Sequence, residues 1–383
     1  MRRFPGCVAL IFLFFGFISL YHMYERILEK GLFSVFEKMQ MDSLQCLSNK
    51  NRIHLHAPEF YKAPDKTSLR LVVAYMRGGS TLLADIVRHT EGDFYMFEPL
   101  HGISQNLGNT TQFLNGTKRI ILRHDLDTFY PELIYHWFTC NFDQIDLSAL
   151  SNPFISIHTP ELQEYFNCII SNLNESKSTI DSVKKCVYLL HDRCMKARSR
   201  TIKTIRLSML MAGKLLKWLP NLRIIYLVRD PRGILNSQFE QHVTEEKRMF
   251  TTVKKVCNSI FSDLSHTKEL KLCHKSRIMS IIYENLCQYP FKVVPKIYRF
   301  LNIEFTNMTE IYIKRMMNGP IKKCHYCTDR GNALGNAYRW IHAIEEKTLI
   351  IIDLYCSFLF PSLGYKHLNY EELNTTFVSW MPT

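Results

Sequence analysis

Residues 69–87 read LRLVVAYMRGGSTLLADIV. Leu69 to Met76 is a short, β-branched, largely apolar run of the kind that predicts a buried strand. Arg77-Gly78-Gly79-Ser80-Thr81 interrupts it, and Leu82 to Val87 resumes with helical spacing. The order is strand, glycine loop, helix. Glycine lets a backbone approach an anion, and the first N–H groups of a helix, through Leu82, lack intrahelical acceptors and favour negative charge. Ser80 and Thr81 add hydroxyls, and Arg77 adds a fixed positive charge. An ordinary strand-to-helix turn would use the same residues. The loop lacks the G-x-x-x-x-G-K-[ST] spacing of a Walker A sequence, which weighs against an NTPase.

Outward from this unit, the alternation continues. Thr201–Arg206 is a second strand candidate, residues 208–219 an apolar-faced helix ending at Pro220, and Arg223–Val228 a third strand. Arg277–Tyr283 is a fourth, followed by a helix to about Leu301. This pattern predicts an α/β fold with a P-loop-like central parallel sheet flanked by helices. Ligands of such sheets bind at the carboxyl ends of the strands. The third strand ends in Arg229-Asp230-Pro231-Arg232, and a helix carries Ser237 eight residues after Arg229. Arginine plus hydroxyl suits a phosphate, while an ion pair of Arg229 or Arg232 with Asp230 is the structural alternative. Residues from about 100 to 200 read as polar and irregular, with 106–185 an insertion over the sheet.

The chain has 383 residues, 46% of them hydrophobic, and a net charge of +13. That composition excludes a disordered chain and a multispan membrane protein. The basic excess points to an acidic partner. Residues 7–24 are nearly free of charge, with Arg2 and Arg3 before them, and read as an uncleaved type II signal-anchor. Residues 1–6 would be a cytoplasmic tail, 25–66 a lumenal stem and 67–383 the catalytic domain. Asn-x-Ser/Thr acceptors at Asn109, Asn115, Asn174, Asn307 and Asn374 agree with a lumenal body. So do the 12 cysteines, an odd 11 of them beyond the anchor. Cys46, in the stem, is the candidate for the odd thiol. Cys324 and Cys327 read as disulfide partners ahead of a metal site. The lumenal setting sets nucleic acid aside.

The two anion motifs together carry a resemblance to the Golgi carbohydrate sulfotransferases, particularly the galactose/N-acetylgalactosamine/N-acetylglucosamine 6-O-sulfotransferase group. Arg77–Thr81 resembles that family's 5′-phosphosulfate loop, and IIYLVRDPRGILNSQ its 3′-phosphate motif. Phe94–Leu100, Ile202–Leu207 and Ile282–Leu286 with Tyr298–Leu301 resemble three further segments. The resemblance spans roughly residues 69–105 and 186–367. Gly78, Ser80-Thr81 and Asn285 depart mildly from the usual residues, and about 106–185 does not align with the family's pattern.

The resemblance implies 3′-phosphoadenosine 5′-phosphosulfate (PAPS) as co-substrate, no metal, and sulfonate transfer to a glycan or glycosaminoglycan hydroxyl in the Golgi lumen. Arg77, Gly78, Gly79, Ser80, Thr81 and Leu82 would take the phosphosulfate, and Arg229 and Ser237 the 3′-phosphate. Arg330 resembles part of a loop that covers that phosphate. Glu98 matches the family's glutamate and is the candidate base, with burial among Phe94, Tyr95 and Phe97 expected to raise its pKa; His101 is the runner-up. Trp340 reads as core packing ahead of adenine stacking. Lys203 and Arg206 are open between glycan contact and ion pairing. Part of the basic excess is expected to line a groove for an anionic glycan, and a homodimer through the stem is left open. Two competing readings are a type II Golgi glycosyltransferase, for which Asp125 and Asp127 would be the metal pair, and a non-catalytic lumenal glycan-binding protein.

Overall fold

The computed structural model describes residues 67–176, 178–243, 246–319 and 331–374. The residues expected to form the tail, anchor and stem (1–66, with Cys46), and also Arg330, Cys324 and Cys327, lie outside the described residues. No helix among the described residues is long and apolar enough to cross a membrane.

Five parallel strands form the central sheet: β1 (Ser68–Val73), β2 (Asp93–Phe97), β5 (Ser199–Thr204), β6 (Leu222–Val228) and β7 (Ile278–Ile282). The order across the sheet is β2-β5-β1-β6-β7, and β3 (Thr110–Gln112) and β4 (Lys118–Ile120) make a separate hairpin. The central position of β1 follows from its near-continuous apolar run, since a strand covered on both faces needs apolar residues at every position. Leu71 and Val72 point to opposite faces and both are fully buried. Val73 pairs with Tyr226 of β6, so the loops after the two motif strands leave the sheet side by side.

Three expectations change. Phe94–Phe97 is itself part of a strand, β2, pairing with β5. The helix expected to run to Leu301 is two, Tyr283–Gln288 and Pro290–Leu301, divided before the proline. The region from 106 to 185 is not irregular. It contributes helices Leu126–Phe138 and Gln163–Ser176, and the start of Thr179–Lys196. The first of these buries nine residues, including Trp137 and Phe138. Disulfides Cys140–Cys194 and Cys168–Cys186 cross-link this layer. Arg200 of β5, fully buried, joins it to the sheet by donating to the Phe138 and Cys194 carbonyls at 2.6 and 3.0 Å. A third disulfide is Cys257–Cys356. The free thiol among the described residues is Cys287. Burial pushes its thiol up to about 12, which leaves it unreactive. Asn109, Asn115, Asn174 and Asn307 are exposed.

Beneath the carboxyl ends of β6 and β7 lies a buried polar network. Arg232 pairs with Asp230 at 2.8 Å, and its guanidinium sits between the Trp340 and Phe360 rings. The Asp230 N–H and the Tyr365 hydroxyl donate to Glu284 at 3.1 and 2.7 Å. Burial first, and the Asp230 charge second, raise the Glu284 carboxyl from 4.5 to about 7. A carboxyl raised on folding stabilises the fold below its ordinary pKa, and that contribution is lost as pH rises through the folded value. The wild-type protein should therefore lose roughly 3 kcal/mol between about pH 4.5 and 7 through this group. Asp93 and Asp353, both raised to about 6 chiefly by burial, add to the lower part of that window. Urea unfolding from pH 5 to 8 should show the decline, and Glu284→Gln should flatten its upper end. Parallel profiles for the two proteins would contradict the assignment.

Candidate active site

The backbone after β1 turns at once. The Gly78 N–H donates to the Tyr75 carbonyl at 2.9 Å, and Arg77 and Gly79 both have positive φ, 66° and 87°. Two neighbours pin the turn. Gln238 donates to the Met76 carbonyl at 3.0 Å, and Arg229 to the Arg77 carbonyl at 2.8 Å. Gly79 is required twice over: its φ lies in the left-handed region, and a Cβ there would overlap the Tyr283 ring. Gly79 then caps helix Ser80–Arg88, with no side chain bonded to the helix end. The N–H groups of Ser80, Thr81 and Leu82 thus have no intrahelical acceptor. The expected role of Gly78 changes. Its N–H is spent inside the turn, so it shapes the loop and is not a donor to ligand.

Arg229 leaves β6 beside this loop, 8% exposed. Besides the Arg77 carbonyl it reaches the Ala337 carbonyl at 3.1 Å, and its guanidinium carbon lies 4.9 Å from the centre of the Tyr283 ring. Among the described residues it has no carboxylate partner. The ion pair weighed for this motif belongs to Arg232 alone. Asp230 caps helix Pro231–Glu240 and turns its carboxylate back onto Arg232. Ser237 lies two turns along that helix and accepts from Arg77 Nε at 3.0 Å. Two motifs 160 residues apart thus touch side chain to side chain.

The surrounding cleft has a volume of about 250 Å³. Arg77, Gly79, Ser80, Thr81, Leu82, Glu98, Arg229 and Ser237 all line it, Gly78 does not, and Arg330 lies outside the described residues. Asp125 and Asp127 are not among its lining residues. Asp125 instead accepts the Leu122 N–H at 2.9 Å in an exposed turn. Among the described residues no cluster of three His, Cys, Asp or Glu side chains is placed to hold a metal.

Glu98 follows β2 with φ 48° and is 2% exposed. Its surroundings differ from the aromatic pocket expected. One carboxylate oxygen takes Lys203 Nζ at 2.6 Å. The other takes an Arg206 nitrogen at 2.6 Å and the Ile205 N–H at 3.3 Å. Two cations therefore pair with it, and Lys203 and Arg206 resolve to ion pairing. The β2–β5 register, Phe97 opposite Lys203, brings them together. Arg206 also donates to the Ser104 hydroxyl at 2.8 Å and to His101 Nδ1 at 2.9 Å. A guanidinium only donates, so Nδ1 accepts and the His101 proton sits on Nε2. Burial and the Arg206 charge lower the His101 pKa. In this arrangement the free nitrogen of His101 carries a proton, so it is a donor and not a base.

Two lining residues, Phe154 and Asn336, carried no legible signal, and neither did Gln238, which anchors the loop from behind. Tyr283 stood in a recognised segment, but its contact with Gly79 needs the sheet.

The family described as Sulfotransferase domain matches residues 69–349. Carbohydrate sulfotransferase 1 of Danio rerio is 25% identical over 83% of this chain and 83% of its own length. Carbohydrate sulfotransferase 1 of Homo sapiens is 26% identical over 84% of this chain and 85% of its own. Among solved structures, retinol dehydratase in a complex with retinol and PAP (the desulfated product of PAPS) aligns at 15% identity. That alignment covers 81% of this chain and 85% of the other, with a TM-score of 0.42. The match over the whole sheet and both anion motifs means that the chain belongs to the sulfotransferase family and is a sulfotransferase.

Proposed function

We propose that this sulfotransferase moves a sulfonate group from PAPS to a hydroxyl of a glycan. The observation that carries the reading is Arg229, a buried guanidinium with carbonyl and ring partners but no carboxylate, opening into the same cleft as Arg77 and Ser237. A buried charge is costly unless paired, so such a site favours an anion. Two features of the cleft fit the nucleotide: the Arg229 guanidinium and the uncapped first turn of helix Ser80–Arg88 both line it.

PAPS, when bound, supplies a sulfonate on a phosphate leaving group. Arg77 and the N–H groups of Gly79 to Leu82 hold that end and stabilise the charge its bridging oxygen gains, by analogy with phosphoryl transfer. Arg229 and Ser237 hold the 3′-phosphate, and Arg330 covers it. Glu98 accepts the proton of the sugar hydroxyl. Lys203 and Arg206 orient its carboxylate, and each oxygen keeps lone-pair capacity. No metal enters this scheme. Phe97, Phe154 and His101 line the end of the cleft next to Glu98. Aromatic faces suit the C–H face of a sugar ring, and this supports a carbohydrate acceptor. The reading extends to the 6-hydroxyl of galactose, N-acetylgalactosamine or N-acetylglucosamine. It also extends to the layout of residues 1–6 cytoplasmic, 7–24 in the Golgi membrane, 25–66 stem and 67–383 catalytic.

The test is transfer from radiolabelled PAPS to desulfated chondroitin, keratan and N-glycan acceptors, with mapping of the modified carbon. Label should appear on a sugar oxygen. Transfer from nucleotide sugars with none from PAPS would sink the reading. Glu98→Gln should retain PAP affinity and lower kcat by about a hundredfold or more, the range of general-base loss. A near-wild-type kcat would remove Glu98 from the role.

A further inference from the structure

His101 opens helix His101–Gln105, three residues after Glu98, and lines the same end of the cleft. Its ring is held on two sides. Arg206 donates to Nδ1 at 2.9 Å, and the Phe154 ring packs against it with centres 4.4 Å apart. The short helix that carries it is held as well. Gly102 sits so close to helix Leu147–Leu150 that a Cβ there would meet the Ser148 hydroxyl at 2.5 Å and the Ser148 carbonyl at 2.8 Å. An imidazole fixed in this way presents its remaining nitrogen in one direction.

That nitrogen is unused within the protein. Nε2 has no partner among the described residues, yet it is not one of the polar atoms that the fold buries without a partner. The residue is half-buried and lines the cleft, so Nε2 is within reach of a ligand. A guanidinium can only donate, so Nδ1 is the acceptor and Nε2 carries the proton. Arg206 links this donor to Glu98. One of its terminal nitrogens holds the Glu98 carboxylate at 2.6 Å and the other holds His101. The guanidinium is planar and rigid, so carboxylate and imidazole stand at a fixed separation. The Phe97 and Phe154 rings line the cleft beside them. A sugar has the matching chemistry: oxygens on neighbouring carbons, and C–H faces that suit aromatic rings.

We propose that His101 binds the acceptor, its Nε2–H donating to a second oxygen of the same sugar whose hydroxyl Glu98 deprotonates. This rests on the glycan reading of the cleft and adds to it the donor that orients the sugar. Glu98 accepts from the reacting hydroxyl and His101 donates to a neighbouring oxygen. Two contacts of opposite polarity fix a ring that one contact would leave free to pivot. Arg206 is a positioning residue for both, since it holds the carboxylate and decides which imidazole nitrogen bears the proton. The oxygen that His101 binds does not react, so this bond is present before and during transfer. Its loss should therefore fall on the acceptor KM ahead of kcat.

The experiment is steady-state transfer from radiolabelled PAPS to desulfated chondroitin, keratan and N-glycan acceptors, with isothermal titration of PAP on the same proteins. His101→Phe keeps a ring against Phe154 and removes the N–H. It should raise the KM of whichever acceptor the wild type modifies by about fivefold, as for one neutral hydrogen bond. Its kcat should stay within about threefold and its PAP affinity within about twofold, because neither depends on this bond. His101→Gln returns an N–H donor and should bring the KM back to within about twofold of wild type. If His101→Phe does not fold, His101→Ala, which adds no bulk, takes its place beside His101→Gln. An unchanged acceptor KM in a folded variant without the N–H overturns the assignment. A kcat loss of about a hundredfold in both the Phe and Gln variants also overturns it, by making His101 the proton acceptor. So does PAP affinity that falls in step with the rise in KM, the mark of a structural role, or a Gln variant no better than Phe. A wild-type protein that moves sulfonate to none of these glycans overturns the glycan reading, and this assignment with it.

Discussion

Arg229 is the constraint around which the site is arranged. It ends β6, the hydrogen-bonded neighbour of β1, and its first donor goes to the carbonyl of Arg77 in the loop after β1. Its second nitrogen reaches across to helix Ala333–Tyr338. One guanidinium therefore fixes the distance between two strand ends and a helix from much later in the chain. Carbonyls accept from two of its nitrogens, and among the described residues no carboxylate is bonded to it, although the Glu284 carboxyl lies near enough to act on its charge. Sheet geometry makes this arrangement available: parallel strands deliver all their following loops to one edge.

The fate of Asp230 shows how the charge is kept unpaired. An aspartate between two arginines could neutralise either. As N-cap of helix Pro231–Glu240 it bonds the Arg232 N–H and then the Arg232 side chain, which points away from the cleft toward Trp340 and Phe360. Glu284 takes the Asp230 N–H from the other side. The capping geometry thus directs the carboxylate to one arginine and away from the other. Sequence alone leaves this undecided, because both arginines are within two residues of Asp230. The difference lies in which one continues the strand and which one enters the helix.

What was legible in the sequence was periodic or local. The β1–loop–helix unit reads directly because its apolar run, glycines and helical spacing occupy one contiguous stretch, residues 69–87. β2 did not read as a strand, because DFYMF is five residues long and buried along most of its length, with no alternation to betray it. The middle region carried a usable signal that its polar surface obscured. Val183, Cys186, Leu190 and Cys194 recur at helical spacing and form the buried face of helix Thr179–Lys196. Glu98 is the clearest case of what could not be read. Its two cations are 105 and 108 residues away, and only the β2–β5 register brings them to it.

The same pairing redistributes the basic excess that first suggested an acidic partner. Five cations, Arg77, Lys203, Arg206, Arg229 and Arg339, line the cleft with two carboxylates, Glu98 and Glu240. Lys203 and Arg206 are both engaged by Glu98, and Arg339 pairs with Glu240 at 2.7 Å. Arg229, by contrast, has no carboxylate bonded to it among the described residues. Near Glu98 the wall is aromatic, and its cations are already committed. An anionic acceptor gains little there, since a second carboxylate or sulfate would compete with Glu98 for the same two partners. The larger part of the +13 excess lies outside the cleft. There, solvent screening confines its effect to steering and to weak, salt-sensitive contact with distal parts of a chain. On the proposed reading, charge at this site serves the phosphates of the donor, and shape and ring stacking are left to discriminate among sugars.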